Sequence, residues 1–249
     1  MKLQLIRNAT MKLNYGGRTI LTDPLLAGKY AYETFIGRSP NPLEDLTVSI
    51  EEIISGVELC IVSHLHIDHF DPKAQEVLPK DLKIICQPGD EPMIESTGFK
   101  DVTPLEGQTT WNGIEITRVP GQHGVGTWIE AMGKVSGFIF KAEGEPTIYW
   151  AGDTVWYDEV KKIITEYNPD IIITHSSGAK LGNSEPIVMD GAQTIEVCKF
   201  APEAKVIAVH MESLDHYKTT REGLRKTAEM NNVNPENLLI PLDGEVMEF

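Results

Sequence analysis

The sequence contains few cysteines, and their spacing does not pair them. Cys60, Cys86 and Cys198 are the only 3 cysteines in 249 residues, and none of them belongs to a CxxC pair. An odd number at this spacing argues against a disulfide framework and a cysteine-type zinc knuckle, and it favours a reducing compartment. Cys60 and Cys86 lie in apolar, strand-like runs, where a buried thiol is more common than a catalytic one.

Long apolar runs are also missing. No stretch of the sequence approaches the roughly 18 apolar residues that a membrane span needs. The N-terminal run MKLQLIRNATMKLNY alternates in polarity and lacks the continuous apolar segment found in signal peptides. We therefore expect a cytoplasmic protein with no membrane partner.

Positive charge is scarce. The chain has 22 Lys and Arg against 37 Asp and Glu, which gives a formal net charge of −15. The summed field of such a chain repels polyanions, so we expect no nucleic-acid partner. Two bound cations or a local basic patch would reverse the sign of the potential at one cleft, and this keeps a nuclease as an alternative.

The order of the predicted elements indicates the fold class. The composition, 41% hydrophobic over 249 residues, suits one globular domain that spans residues 1–249. The first part is rich in strands such as Arg18–Asp23, and Gly16–Gly17 predicts a hairpin turn. After residue 153, helices around Tyr157–Tyr167 and Asp190–Phe200 alternate with strands. Two sheets with helices on their outer faces accommodate both parts, so we predict an α+β fold, an αββα four-layer sandwich.

The motif Ser-His-Leu-His-Ile-Asp-His follows the apolar strand Leu59–Ser63 and carries the chemistry. It places His64, His66, Asp68 and His69 within six residues. Burying such a cluster is costly unless a cation pairs with it. His64 and His66 can point toward one ion while Asp68 and His69 turn toward a second one. The alternative is that these histidines are ordinary core or surface residues, and it would have to be true of all three.

The pattern His-x-His-x-Asp-His resembles the signature of the metallo-β-lactamase superfamily. The resemblance implies that His123 in VPGQHG completes the first metal site, that Asp153 in YWAGDT bridges both ions, and that His210 in VIAVHM completes the second. His175 is the rival of His123. Asp153 as a simple turn residue and His210 as a core histidine are the alternatives. The implied cofactors are two divalent metal ions, zinc in the first place, with manganese or iron as alternatives.

Further segments resemble one branch of this superfamily. ILTDP near the start, NPL before the motif strand, and the intact Asp153 and His210 are similar to the branch that includes L-ascorbate-6-phosphate lactonases. The implied function is a metal-dependent hydrolase that uses a metal-bridged hydroxide on a small ester, lactone, amide or phosphodiester. The alternatives are a non-catalytic metal-binding protein and a nuclease of the same superfamily. The expected partner is a small-molecule substrate, and self-association into a homo-oligomer stays open.

Two aspartates and a histidine have predicted roles beside the metals. Asp68 can orient the hydroxide and take up a proton as the intermediate collapses. Asp23 is the candidate acceptor for the second N–H of a ligating imidazole, with a turn before Pro24 as the alternative. His216 lies in a loop close to His210, and we expect it in the active-site cleft, where it binds the substrate rather than a metal. A surface position is the alternative for His216.

The segment after His216 predicts a helix. Thr219 and Glu222 form a capping-box pattern, so a helix should begin at about Thr220 beside the metals. Lys218 and Arg221 are candidates for binding an anionic group of the substrate, with solvated helix-end charges as the alternative.

Overall fold

Two seven-stranded mixed sheets form the centre of the molecule in a computed structural model, which describes residues 1–34 and 36–249. The strands of the first sheet are β1 (Lys2–Arg7), β2 (Thr10–Tyr15), β3 (Arg18–Thr22), β4 (Leu59–Val62), β5 (Lys83–Cys86), β6 (Asp101–Pro104) and β14 (Val246–Glu248). Those of the second are β7 (Gln108–Trp111), β8 (Ile114–Pro120), β9 (Ser136–Lys141), β10 (Ile148–Trp150), β11 (Ile171–His175), β12 (Lys205–Val209) and β13 (Leu238–Leu239).

Helices cover the outer faces of both sheets. They are α1 (Ile50–Ile54), α2 (Pro72–Val77), α3 (Glu91–Ser96), α4 (Trp128–Met132), α5 (Asp158–Tyr167), α6 (Gly191–Phe200) and α7 (Arg221–Met230). One apolar layer lies between the sheets and includes Leu5, Phe138 and Trp150. A second layer packs β10–β12 against α5, α6 and α7, and a third packs β4 and β5 against α1, α2 and α3. The predicted αββα sandwich is confirmed.

Both sheets are built in the same way. In the first, β1, β2 and β3 pair antiparallel and β3 to β6 continue parallel. In the second, β7 to β10 pair antiparallel and β10 to β13 continue parallel. The parallel strands read as near-continuous apolar runs because helices bury their outer faces. Their carboxyl ends meet at one edge of the sandwich.

Local turn chemistry explains several connections. Gly16 and Gly17 both have positive φ and close the predicted hairpin between β2 and β3. The predicted capping box is wrong by one residue, because α7 begins at Arg221 and its N-cap is Thr220, whose hydroxyl accepts from the Gly223 N–H. Thr219 instead accepts a hydrogen bond from the Gly191 N–H at 3.3 Å.

Several elements have no apolar period that would predict them. These are the short helices α1, α3 and α4 and the half-exposed strands β6, β7 and β14. Among residues 1–34 and 36–249, none of the helices has the length and apolar content of a membrane span.

Candidate metal centre

The first cluster of candidate ligands lies at the carboxyl end of β4. Side-chain nitrogens of His64, His66 and His123 lie within 4.8 Å of one another. The Ser63 hydroxyl donates to Asp23 at 2.6 Å, so it accepts from His64 Nδ1 at 3.0 Å. The Nε2 atom of His64 is buried and has no hydrogen-bond partner among the described residues. A buried lone pair without a partner is costly, and a metal ion here would satisfy it.

A second cluster lies directly beside the first. His210 Nε2 is 3.2 Å and His69 Nε2 is 3.4 Å from Asp68 Oδ2. The Asp153 carboxylate lies between the clusters, with Oδ2 at 3.3 Å from both His69 Nε2 and His123 Nε2. The Asp153 carboxylate is within reach of both clusters and would help to hold an ion at either one. The two His/Asp clusters indicate a dinuclear site.

The electrostatics of the second cluster call for positive charge. Burial alone would raise the pKa values of the Asp68 and Asp153 carboxyls. The neighbouring imidazoles of His69 and His210 outweigh burial and hold both pKa values well below their ordinary range. Burial would lower the pKa of His69, but Asp68, Asp153 and Asp23 together raise it well above its ordinary value. A divalent cation would stabilise the negative charge of these carboxylates more strongly than one imidazolium does.

The opposite shift occurs in the first cluster. Burial, followed by the charges of His69 and His66, lowers the pKa of His64 well below its ordinary value. The imidazole is therefore neutral, and its Nε2 lone pair is available to a metal ion.

Asp23, the predicted acceptor for a ligating imidazole, contacts the segment from Ser63 to His69. It is fully buried and accepts hydrogen bonds from the Ser63 N–H at 2.7 Å and from His69 Nδ1 at 2.6 Å. It therefore holds His69 directly and His64 through the Ser63 hydroxyl. The other imidazoles find different acceptors: His123 Nδ1 is 2.8 Å from the Ile187 carbonyl oxygen.

His175 lies in the second cluster, where its ring is close to His69, Asp153 and His210. Its hydrogen bonds nevertheless indicate that it positions Asp153 and does not hold a metal ion. Trp150 Nε1 lies 2.9 Å from His175 Nε2, and His175 Nδ1 lies 2.6 Å from Asp153 Oδ1. An indole N–H can only donate, so Nε2 accepts and the proton of the neutral ring sits on Nδ1. Burial lowers the pKa of His175 to about 4 even though Asp153 opposes this shift. Both nitrogens are thus engaged, and His175 orients Asp153, whereas His123 is the histidine that joins His64 and His66.

Of the three predicted substrate-binding residues, His216 lines the cavity, and Lys218 and Arg221 do not. His216 lines the cavity beside the clusters, and its Nδ1 is buried without a hydrogen-bond partner among the described residues. Lys218 is exposed and is absent from the described lining of that cavity. Arg221 is held by the carboxylates of Glu212 and Asp243, so its charge is neutralised away from the cavity.

Sequence reasoning missed three residues of this region: Asn8, Trp150 and Tyr217. The Tyr217 hydroxyl lies 2.9 Å from Asn8 Oδ1 and 3.1 Å from both Asp68 Oδ2 and His210 Nε2. Trp150 stands three positions before Asp153 and Tyr217 follows His216, so proximity along the chain was a usable signal for both. Asn8 lies 60 positions from the aspartate that it contacts, and no local pattern marks it.

A cavity of about 440 Å³ opens onto both clusters. Apolar side chains from separate parts of the chain form most of its wall. The charged side chains that reach it are Glu33, Asp68 and Asp153, and the described lining contains no lysine or arginine. Its apolar wall includes Leu25, Leu65, Ile67, Met132, Leu181 and Ile187.

Comparisons with known proteins agree with this arrangement. A family model described as "Beta-lactamase superfamily domain" matches residues 18–211. The UPF0173 protein YddR of Bacillus subtilis (strain 168) is 38% identical, with 100% of both chains covered. A UPF0173 metal-dependent hydrolase of Methanocorpusculum labreanum is 26% identical over 82% of this chain and 88% of its own. The crystal structure of an isothiocyanate hydrolase from Delia radicum gut bacteria superposes with a TM-score of 0.94 at 36% identity, covering 100% of this chain and 99% of that one.

Proposed function

Because the chain belongs to the metallo-β-lactamase superfamily and to its UPF0173 family of metal-dependent hydrolases, we propose that it hydrolyses a small, uncharged, largely apolar molecule at an electrophilic carbon. The observation that carries this proposal is the cavity of about 440 Å³ with its apolar wall and without a described lysine or arginine. Away from the proposed metal ions, an anionic substrate group would meet Glu33 and the apolar wall and would find no protein cation in exchange for its water.

The substrate class that fits best is an isothiocyanate, R–N=C=S, with an apolar R group. The structurally similar isothiocyanate hydrolase supports this choice. Neutral esters and lactones share the electrophilic carbon and the lack of charge, so they are the next candidates. The sequence resemblance to L-ascorbate-6-phosphate lactonases supports lactone opening as a reaction class, but the phosphate of that substrate and a phosphodiester both lack a protein cation in this cavity.

The ligand residues divide into two sets that share Asp153. We propose that the first set holds one ion and the second set holds the other, and that zinc is the metal because most donors are imidazoles. When bound, two such ions lower the pKa of a water molecule and polarise the substrate. The first set is His64, His66 and His123, and the second is Asp68, His69 and His210.

Asp68 and His216 have separate proposed tasks. Asp68 faces both the second set and the cavity, so its carboxylate can orient the attacking water and accept its proton. His216 presents a neutral imidazole to the same cavity, because burial lowers its pKa. We propose that it hydrogen-bonds the substrate. His216→Ala should keep two metal equivalents and lose turnover, and loss of metal from that variant would make His216 a ligand instead.

A substrate panel tests the proposal. Protein loaded with two zinc equivalents is assayed with benzyl isothiocyanate, phenyl acetate, γ-butyrolactone, ascorbate 6-phosphate and bis(p-nitrophenyl) phosphate, with chelated protein as the blank. We expect kcat/KM for at least one neutral substrate to exceed that for either phosphate by about 10²-fold or more, which is about 2.7 kcal/mol. Preference for a phosphate compound would contradict the proposal.

A further inference from the structure

The Tyr217 hydroxyl stands where the cavity meets the second ligand set. It lies 3.1 Å from Asp68 Oδ2 and 3.1 Å from His210 Nε2. We propose that Tyr217 is a catalytic residue whose hydroxyl donates a hydrogen bond to the substrate atom that gains negative charge during hydrolysis. The inference rests on the proposed hydrolytic function and adds a residue that the ligand motif does not contain.

Asn8 holds the Tyr217 oxygen in place and accepts its proton in the resting site. The Asn8 amide nitrogen donates to the main-chain carbonyl of Asp68 at 3.1 Å and to Asp68 Oδ2 at 3.2 Å. Because the nitrogen is the donor, the amide oxygen must be on the other side, where it accepts from Tyr217 at 2.9 Å. The backbone of Asn8 is itself tied to the site, since its carbonyl accepts from the His210 N–H at 3.0 Å. The Tyr217 phenol is therefore a protonated donor whose oxygen has a fixed position.

Packing holds the tyrosine ring in place. The ring packs against the apolar cluster of Ala179, Ile187 and Val188, and its centroid is 4.9 Å from that of His210. The hydroxyl thus needs no side-chain search to reach the cavity. Only the hydroxyl proton has to rotate when charge develops, so the reorganisation that the donor needs is small.

The resting acceptor explains why the hydrogen bond should favour the transition state. The Tyr217 hydroxyl has two acceptors within reach, Asn8 Oδ1 at 2.9 Å and Asp68 Oδ2 at 3.1 Å. A cation held by Asp68 would engage the charge of that carboxylate, and Asn8 Oδ1, a neutral and therefore weaker acceptor, would remain for the phenol proton. A substrate oxygen, sulfur or nitrogen that becomes negative is a stronger acceptor, because charge-assisted hydrogen bonds are about twice as strong as neutral ones. The proton of Tyr217 can then turn from Asn8 to the substrate while it stays on the phenol. This interaction forms only as charge develops, which is the condition for raising kcat.

Tyr217→Phe tests the proposal because it removes the hydroxyl and keeps the ring. We expect the variant to bind two zinc equivalents with wild-type affinity, to keep KM within about threefold, and to lose about 10²-fold in kcat. The matched control is Tyr149→Phe, which also removes one buried hydroxyl. That hydroxyl has no hydrogen-bond partner among the described residues. The Tyr149 side chain packs in the layer between the second sheet and helices α5, α6 and α7. That control should keep kcat, KM and metal content.

A second measurement does not depend on the substrate. Phenylboronic acid adds a hydroxide taken from water, releases the proton, and becomes a tetrahedral anion of the kind that the site should stabilise. Calorimetry should show at least about tenfold weaker binding to zinc-loaded Tyr217→Phe than to the wild type, which corresponds to loss of one hydrogen bond to a charged group. The Tyr149→Phe control should bind it as the wild type does.

The outcomes separate this inference from the proposed function. If the wild type turns over no member of the substrate panel, the proposed function fails, and boronate affinity alone decides the role of Tyr217. Loss of zinc from Tyr217→Phe would make the tyrosine a metal ligand and overturn the inference. Equal boronate affinity in the variant and the wild type would also overturn it.

Discussion

Replacement of Asp23 by asparagine isolates the charge that orients two candidate metal ligands, His64 and His69. Asp23 has a φ of 38°, a conformation that asparagine tolerates better than most residues, so the backbone should not move. All three groups that face the carboxylate are donors: the Ser63 N–H, the Ser63 hydroxyl and His69 Nδ1. An amide offers only one oxygen, so its NH₂ group must point at a donor. We expect His69 to rotate or to change its tautomer.

The distances set the size of the effect. The bond from His69 Nδ1 to Asp23 Oδ2 is short, at 2.6 Å, and is a hydrogen bond to a charged group. Such bonds contribute about 1.5–3 kcal/mol. Affinity for the ion beside His69 should therefore fall by about 10- to 100-fold, the range found when outer-sphere partners of metal ligands are removed. His64 is one hydrogen bond further from Asp23, so affinity for its ion should fall by less.

Competition with a chromophoric zinc chelator measures both affinities. The control is Asp71→Asn, because Asp71 is also fully buried and also accepts three hydrogen bonds, from Ala27, Tyr32 and Ala74. Asp71 caps α2, so its variant should melt at a lower temperature and keep both zinc affinities. The reasoning fails if Asp23→Asn binds both ions as the wild type does, or if Asp71→Asn weakens them equally.

Three further predictions concern other groups. Side-chain ¹⁵N spectra should show His175 protonated at Nδ1 and bare at Nε2 from pH 5 to 8, because its pKa is lowered to about 4, and a protonated Nε2 would contradict the Trp150 contact. Burial raises the pKa of Asp90 from 3.8 to about 6, so the folded protein is most stable below pH 4 with respect to this group and loses that stability as pH rises through 6. The melting temperature of Asp90→Asn should therefore be higher than that of the wild type at pH 7.5 and equal to it at pH 4. The same difference at both pH values would refute the raised pKa of Asp90. Chelation should lower the melting temperature and zinc should restore it, because an ion that binds only the folded state stabilises it, and an unchanged temperature would mean that the folded state holds no ion.

Much of the fold and of the candidate ligand set could be proposed from the sequence because both depend on local patterns. Apolar runs of strand length that alternate with helical segments indicate two sheets covered by helices. The motif from His64 to His69 is dense enough to be recognised without neighbours. Asp153 and His210 follow strands whose carboxyl ends meet at one edge, so parallel pairing brings them to the same place.

The parts that could not be predicted depend on contacts between distant segments. Trp150 has the pattern of a core residue in an apolar strand, and only the neighbouring strand shows that its indole meets His175. Asn8 and Tyr217 are 209 positions apart, and nothing in either local sequence indicates that they share a hydrogen bond. The fate of Arg221 was equally hidden, since its partner Asp243 comes from a later loop.

The candidate ligands and the apolar wall of the cavity come from different parts of the chain, and this separation bears on how new activities arise. The candidate ligands lie where strands end, whereas Leu25 and Leu181 reach the cavity from loops and Met132 reaches it from the end of α4. Even Ile187, whose carbonyl accepts from His123, contributes its side chain to the wall and only its backbone to the ligand. Exchange of these side chains would change which molecule fits while the metal centre keeps its geometry. After gene duplication, a few substitutions in these segments are thus a short evolutionary route to another substrate, and they are the positions at which a directed-evolution library should be built.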